Sequence, residues 1–377
     1  MKTICVCTSV HNAWDARIFE KQIGTLLQKY RVIYVAPESD LPKNGLPEKL
    51  VYIPIKKQAN RLIRIFRSFN VFIRLYGLRH RVVSYHVHDP ELAPVLALLK
   101  ILTGKFCIYD VHENCTAAIQ DRFWIPKIFR KGMALAFSTI EKISTPCFDE
   151  IITVSPEISG LYPGKSTTVI ENFPSRQHYE SILPFRKKRP FILLSGGLTR
   201  IRGVIPAVQA FAMADLPPNF RIVLLGWFES DTVKTTVLKL LKDSGKKNRV
   251  EILPWVPYRK SLEFMNSCAV GLVPYLNYKN HRFGVPSKIY EFLATATPVI
   301  YNSLPNYIQT VGSFPVGMAV DCSHPKAIAR AMENLTRHPR LRKSMGDAGR
   351  KLFLSRFNWE QKQNTLLDLY AKIGSSL

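Results

Sequence analysis

Two short segments in the second half of the chain combine residue types suited to an anionic ligand. Gly196-Gly197 leads into Leu198-Thr199-Arg200-Ile201-Arg202-Gly203, and a helical apolar pattern follows from Val204. Glycines let a backbone approach a ligand closely, and a helix start offers free N–H groups and partial positive charge. Arg200 and Arg202 add cations that can pair with phosphate oxygens, so the segment suits a diphosphate. A plain glycine turn with solvated arginines would read the same way, and neither a Walker loop nor GxGxxG is present. The second segment is Pro286-Ser287-Lys288-Ile289-Tyr290-Glu291. Pro286 and Ser287 are good helix starters, which puts Lys288 and Glu291 in an exposed first turn. A carboxylate there can accept hydrogen bonds from ribose hydroxyls, and the lysine can meet phosphate or sugar. The alternative is a glutamate that merely complements the helix dipole.

In the first half, His86-Val87-His88-Asp89-Pro90-Glu91 and Tyr109-Asp110-Val111-His112-Glu113 place imidazoles and carboxylates at the ends of apolar runs. His86 and His88 share one face of a strand. No further clustered ligand or cysteine set completes a metal site in the sequence, so no metal is expected. Histidines and aspartates at strand ends also serve as plain structural hydrogen-bonders.

These residues need a frame. Short β-branched runs alternate with helical periods: Thr3–Thr8, Arg31–Ala36, Val82–His88, Phe106–His112, Ile151–Ser155 and Thr168–Asn172 read as strands. The alternation restarts at Phe191–Ser195 and continues through Arg221–Leu225, Val250–Trp255, Val270–Pro274 and Pro298–Tyr301. Such alternation implies βαβ units and parallel sheets. The expected fold class is α/β, with two doubly wound Rossmann-like domains facing a central cleft, and ligands beyond the carboxyl ends of the strands. Residues 1–175 form the expected N-terminal domain, the polar stretch 176–189 a linker, and 190–357 the C-terminal domain. Residues 358–377 open with Asn358-Trp359-Glu360-Gln361, a capping-box pattern, and are expected to form a terminal helix packing back on the N-terminal domain.

At 377 residues, about two domains is the prior, and 46% hydrophobic against 21% charged residues describes a folded chain. The net charge of +25 is large. Nucleic acid, an anionic membrane or a phosphorylated substrate would each account for it. Seven cysteines, an odd number without a CxxC pair, fit a reducing compartment. No leader is expected, because Met1-Lys2-Thr3 runs directly into the apolar Ile4–Cys7 and then polar residues. The longest apolar segment, Leu92–Tyr109, is interrupted by Lys100, Gly104 and Lys105 and is too broken to span a bilayer.

Taken together and in order, these motifs resemble the retaining family 4 glycosyltransferases of the GT-B fold, of the bacterial cell-surface polysaccharide type. The likeness spans nearly the whole chain. It includes His11, Asp15 and Arg17-Ile18-Phe19-Glu20, the two His/Asp segments, Ile170-Glu171-Asn172-Phe173-Pro174, the Gly196–Gly203 loop, and Pro286 through Ile300. The resemblance implies a nucleoside-diphosphate sugar donor, UDP- or GDP-linked, with no other cofactor. Donor binding falls to Gly196, Gly197, Arg202, Gly226, Trp255, Val256, Ser287, Lys288 and Glu291. His112, Arg202 and Lys288 are the implied catalytic residues: the two cations stabilise charge on the leaving diphosphate, and His112 hydrogen-bonds the donor sugar. His11, Asp15, Arg17, His88, Asp89 and Glu113 fall to the acceptor. Transfer would retain the anomeric configuration. The family's fuller motif carries a glutamate eight positions before Glu291, where this chain has Phe283, and a glycine where it has Ala296. Gly284, Lys288 or backbone groups would then meet the sugar hydroxyls.

The basic surplus is concentrated. From Val51 to His88 no acidic residue occurs, and Arg61, Arg64, Arg67, Arg74, Arg79 and Arg81 are interleaved with Ile63, Phe66, Phe69, Phe72 and Tyr76. Arg122, Trp124, Lys127, Phe129, Arg130 and Lys131 form a second group. Basic and aromatic residues on helices fit an anionic membrane surface, and solvated basic helices with core aromatics fit too. The expectation is a glycan or polyprenyl-diphosphate-linked acceptor, no nucleic acid, and a cytoplasmic enzyme peripheral on the inner face of the cell membrane. Nothing in the sequence fixes an oligomeric state. Two other classes share the motifs: a GT-B-like sugar-nucleotide epimerase, and a non-catalytic basic protein binding membrane or nucleic acid.

Overall fold

The computed structural model of the chain describes residues 1–39, 46–56, 61–122 and 125–375, with side chains outside 61–67 and 374–375. Trp124 and the side chains of Arg61, Ile63, Arg64, Phe66 and Arg67 therefore lie outside the described residues. The chain divides into two compact units, residues 1–172 with 360–377, and residues 173–359.

The first unit is built on a seven-stranded, wholly parallel sheet. Its strands are β1 (Thr3–Cys7), β2 (Arg31–Pro37), β3 (Leu50–Ile55), β4 (Ser84–Val87), β5 (Phe106–Val111), β6 (Glu150–Thr153) and β7 (Thr167–Val169), in the order 3-2-1-4-5-6-7. β1, β4 and β6 are buried on both faces, which is why they read as continuous apolar runs. Edge strand β3 escaped the sequence reading, because LVYIPI carries a proline and half-exposed positions. Helices α1 (Ala16–Ile23, π-helical), α2 (Arg61–Gly77), α3 (Ala93–Thr103), α4 (Cys115–Asp121) and α5 (Lys127–Ser144) connect the strands.

The second unit holds a six-stranded parallel sheet. It contains β8 (Arg189–Leu198), β9 (Arg221–Phe228), β10 (Val250–Leu253), β11 (Cys268–Val273), β12 (Val299–Asn302) and β13 (Gly317–Val320), in the order 10-9-8-11-12-13. Helices α6 (Val204–Met213), α7 (Asp231–Asp243), α8 (Tyr258–Ser267), α9 (Ser287–Ala294), α10 (Pro325–Arg337) and α11 (Pro339–Ser355) cover it. Alternation along β8 feeds two cores: Ile192 and Leu194 pack on one face, Phe191 and Leu193 on the other. The 176–189 stretch read as a linker belongs to this unit. Tyr179 joins its core, and Lys188 Nζ donates to Asn266 O, Thr295 O and Thr297 Oγ1.

Helix α12 (Glu360–Ser375) belongs to the first unit. Tyr370 Oη lies 2.8 Å from His86 Nδ1, and Lys362 Nζ 2.6 Å from Glu171. Asn358, the expected cap of this helix, directs its Nδ2 to the carbonyls of Phe353 and Leu354 at the end of α11. In both sheets the strand order reverses once, between β1 and β4 and between β8 and β11. Such switch points open a crevice at the carboxyl ends of the strands.

Candidate functional site

At the switch point of the second unit, the last residues of β8 and the residues following β8 and β11 meet the start of α9. A recess there is lined by Ser195, Gly197, Arg202, Pro274, Tyr275, Lys288 and Phe292. Two glycines make it possible. Gly226 has φ +151°, and a Cβ on it would lie 1.7 Å from Gly196 O, so β9 can run beside the Gly196-Gly197 backbone only without a side chain. Gly203, at φ +76°, precedes α6, and a Cβ would lie 2.0 Å from Pro274 O. Between these points Arg202 folds back: its guanidinium sits 5.3 Å from the Tyr275 ring centroid and reaches over Gly197.

Glu291 departs from the expectation of exposure. It is only 5% exposed, and its carboxylate accepts a 2.8 Å hydrogen bond from Lys288 Nζ. One helical turn separates the two residues, so α9 presents them as a preformed pair. Ser287 opens that helix. Ser195, which the sequence reading passed over, lines the recess with its buried Oγ lacking a partner, a polar group available to a ligand. Arg200 turns away to Glu229, 3.4 Å distant. Trp255 and Val256 are not among the lining residues, and Trp255 is 65% exposed. Asn306 Nδ2 donates to His281 O and Gly284 O, pinning the turn that carries Phe283.

At the switch point of the first unit, Asp89 is buried and spent on the loop after β1. It accepts from Thr8 Oγ1, Ser9 N and Val10 N, and lies 2.9 Å from His11 Nδ1. Burial would raise its pKa, but the hydrogen bond and charge of His11, with Thr8 and Ser9, hold it well below the usual carboxylate range. Burial works against charge on His11 as well, yet Asp89 outweighs it and the His11 pKa is raised. Asp15 caps α1, accepting from Arg17 N and Ile18 N.

Arg17 is buried too. It donates to Ile170 O and to Asp110, whose carboxylate also accepts from Gln22. Around Asp110 stand His86 Nε2 at 3.6 Å, His88 Nδ1 at 3.5 Å and His112 Nε2 at 3.6 Å. The sequence offered no third ligand beside His86 and His88; the fold supplies Asp110, one strand over. That carboxylate is already met by Arg17, so the group forms a buried ion-pair network in which a divalent ion would face a guanidinium. Burial opposes charge on Asp110, but the Arg17 charge, followed by His112, holds its pKa well below the ordinary value. Desolvation, with Arg17, His11 and His88 nearby, keeps His112 well below its own, against the pull of Asp110, so it is neutral at pH 7.

Of the residues assigned to an acceptor, Arg17, His88 and Asp89 are therefore internal. His11 and His112 reach the surface with side chains 30% and 20% exposed and ring centroids 4.9 Å apart. Glu113 is partly exposed and lies 3.3 Å from Arg122.

Residues 175–352 match the family model described as Glycosyl transferases group 1. The matched segment lies within the second unit. It contains every recess residue named above. A curated relative, D-inositol 3-phosphate glycosyltransferase of Xylanimonas cellulosilytica, is 28% identical over 184 residues, 48% of this chain and 42% of the relative. The chain thus matches less than half the length of that relative. Among solved structures, sucrose-phosphate synthase of Thermosynechococcus elongatus aligns over the whole of both chains at TM-score 0.81 and 16% identity. HepE of Anabaena, solved with UDP and glucose, aligns over the whole of both chains at TM-score 0.74 and 13% identity. These likenesses are of fold. The two parallel sheets of seven and six strands with their helices are the two Rossmann-like domains of GT-B.

Proposed function

We propose that the protein is a retaining glycosyltransferase that moves a sugar from a nucleoside-diphosphate sugar to a lipid-linked glycan acceptor at an anionic membrane surface, in cell-surface polysaccharide synthesis. The observation that carries this is the recess of the second unit. There a close-approach glycine backbone, Arg202, Ser195 and the Lys288–Glu291 pair converge at a switch point, inside the segment that matches group 1 glycosyltransferases.

In this reading Gly196, Gly197 and Arg202 take the diphosphate, and Glu291 accepts from ribose hydroxyls while Lys288 shifts toward a phosphate oxygen. As the glycosidic bond breaks, negative charge grows on the leaving diphosphate, where fixed cations stabilise it most. The leaving phosphate takes the proton of the acceptor hydroxyl, and the sugar passes through an oxocarbenium-like state. His112, neutral and anchored by the Asp110 network, offers a hydrogen bond to a sugar hydroxyl. His11 and Glu113 remain for the acceptor. HepE was solved with UDP and glucose, which supports a uridine donor. The curated relative is named for inositol 3-phosphate, which supports an acceptor bearing phosphate and fits the +25 charge.

A thermal-shift screen of nucleoside-diphosphate sugars, followed by assay of released nucleoside diphosphate, tests this reading. Stabilisation by one donor class and acceptor-dependent release are expected. Isomerisation of the donor without release would establish an epimerase, and a Glu291→Ala variant that binds and turns over donor like the parent would remove the site assignment.

A further inference from the structure

Helix α5 has two unlike faces. Ala134 and Ser144 are buried, and Arg130, Phe137, Ser138 and Glu141 are half-buried, all on one side of an α-helical projection. The opposite side carries Ile128, Phe129, Met133, Leu135, Ile140 and Ile143, each exposed; Ile128 is 83% exposed, Leu135 69% and Ile143 72%. Gly132, Ala136 and Thr139 complete that side. No charge interrupts it; Lys131 and Lys142 lie exposed along one flank, and Lys127 is exposed at the start of the helix. The acidic residue of α5, Glu141, points inward and accepts from the hydroxyls of Tyr109 and Tyr162. Arg130, read from the sequence as part of a basic patch, also turns in, to Ile125 O and Gln120 O. The neighbouring helix α3, packed on α5, adds exposed Leu98, Ile101 and Leu102 near its end.

So large an apolar surface left open on a folded domain marks an interaction site. Its chemistry selects the occupant. Two copies meeting face to face would bring lysine flanks together with no acidic residue of α5 to neutralise them. Phospholipid offers both halves of the complement: acyl chains for the stripe, and anionic headgroups for lysines that reach outward from it. Among the described residues no helix is long and apolar enough to cross a membrane, so α5 would lie in the interface.

We infer that α5 is a monotopic membrane anchor, its Ile128–Ile143 stripe inserted among acyl chains of an anionic bilayer and Lys127, Lys131 and Lys142 set at the phosphates. This deepens the membrane part of the proposed function by naming the element that enters the lipid. It predicts insertion rather than surface adsorption alone.

The test uses the full chain and vesicles of phosphatidylcholine with about one third phosphatidylglycerol. The parent is expected to float with them and to retain part of its binding in about 0.5 M NaCl, where headgroup attraction is screened. Leu135→Glu/Ile143→Glu should lower binding at least about tenfold, with thermal midpoint and donor-induced shift unchanged. Phe129→Trp should show a blue shift and quenching by lipids brominated on the acyl chain, a reading that stands even if the double variant folds poorly. Unquenched tryptophan, parent-like binding by a folded double variant, or a parent dimer that ignores vesicles and falls apart on Leu135→Glu would each overturn the inference. Vesicle binding is read without donor, so a chain that enters lipid but turns over no sugar nucleotide would sink the proposed reaction and leave the anchor standing.

Discussion

Arg17 Nη2 lies 3.0 Å from Asp110 Oδ1, and both side chains are cut off from water. Asp110 sits one residue before the end of β5 and Arg17 in the first turn of α1, so the pair ties the loop after β1 to the strand that carries His112. Removing one partner strands the other charge in the interior. Arg17→Met is expected to cost about 3–5 kcal/mol in urea unfolding, and Arg17→Met/Asp110→Asn to cost less than Arg17→Met alone. An additive double variant would mean the two side chains do not act as a pair.

Stability should depend on pH through His86. Burial, then the neighbouring His88, lowers its pKa to about 4 despite Asp110. The unfolded imidazole takes a proton near pH 6.5 while the folded one does not, so stability falls as pH drops from about 6.5 to about 4, by roughly 3 kcal/mol. His11 runs the other way. Its raised pKa contributes stability that is complete below its unfolded value and lost as pH climbs through the folded one. Thermal midpoints of parent and His86→Phe between pH 4 and 7 separate the two, since the variant should lose the His86 share of the acid-side slope and keep that of His112.

Gly226→Ala should unfold or badly distort the second unit. The new methyl would stand 1.7 Å from a backbone carbonyl that has no side chain to move aside, at a φ that alanine avoids. A loss above about 3 kcal/mol is expected, together with loss of donor binding. Gly245→Ala provides the comparison, because nothing lies within 4 Å of its Cβ position although φ is +68°. It should cost only about 1 kcal/mol.

Lys288→Met leaves the Glu291 carboxylate without its 2.8 Å partner and removes a cation from the recess. If the cation acts on the departing diphosphate, kcat should fall at least about 100-fold while donor affinity changes less. Arg202→Lys should retain more activity than Arg202→Ala, though not all, because a lysine cannot offer the paired N–H groups of a guanidinium. Equal losses in kcat and donor affinity would make both residues simple binders.

Much of this was legible in the residues. Wholly buried parallel strands such as Cys268–Val273 announce themselves as apolar runs, and Gly-Gly followed by arginines points to the β8 end of the recess. Two of the four edge strands did not: Leu50–Ile55 and Gly317–Val320 are partly exposed, and their side chains do not alternate cleanly. Nor could a linear reading tell engaged from available polar groups. Asp89 and Arg17 look like surface ligands until the fold spends them on Thr8, His11 and Asp110. Period two put His86 and His88 on one face, but Asp110 was not singled out, because its place beside them depends on β4 pairing β5. Ser195 gave no signal, since an isolated serine in a strand becomes notable only when its neighbours leave it dry and unpaired.

The hydroxyl of Tyr370 against His86 has a consequence for how the protein is made. Residues 1–172 leave the ribosome before the helix that lids His86, which follows the whole of 173–359. At about 5–20 residues per second, the nascent sheet waits roughly 10–40 s with that imidazole uncovered. Completion of the first unit therefore waits on synthesis of the second, and a message cut short anywhere in the second unit yields a first unit that cannot close.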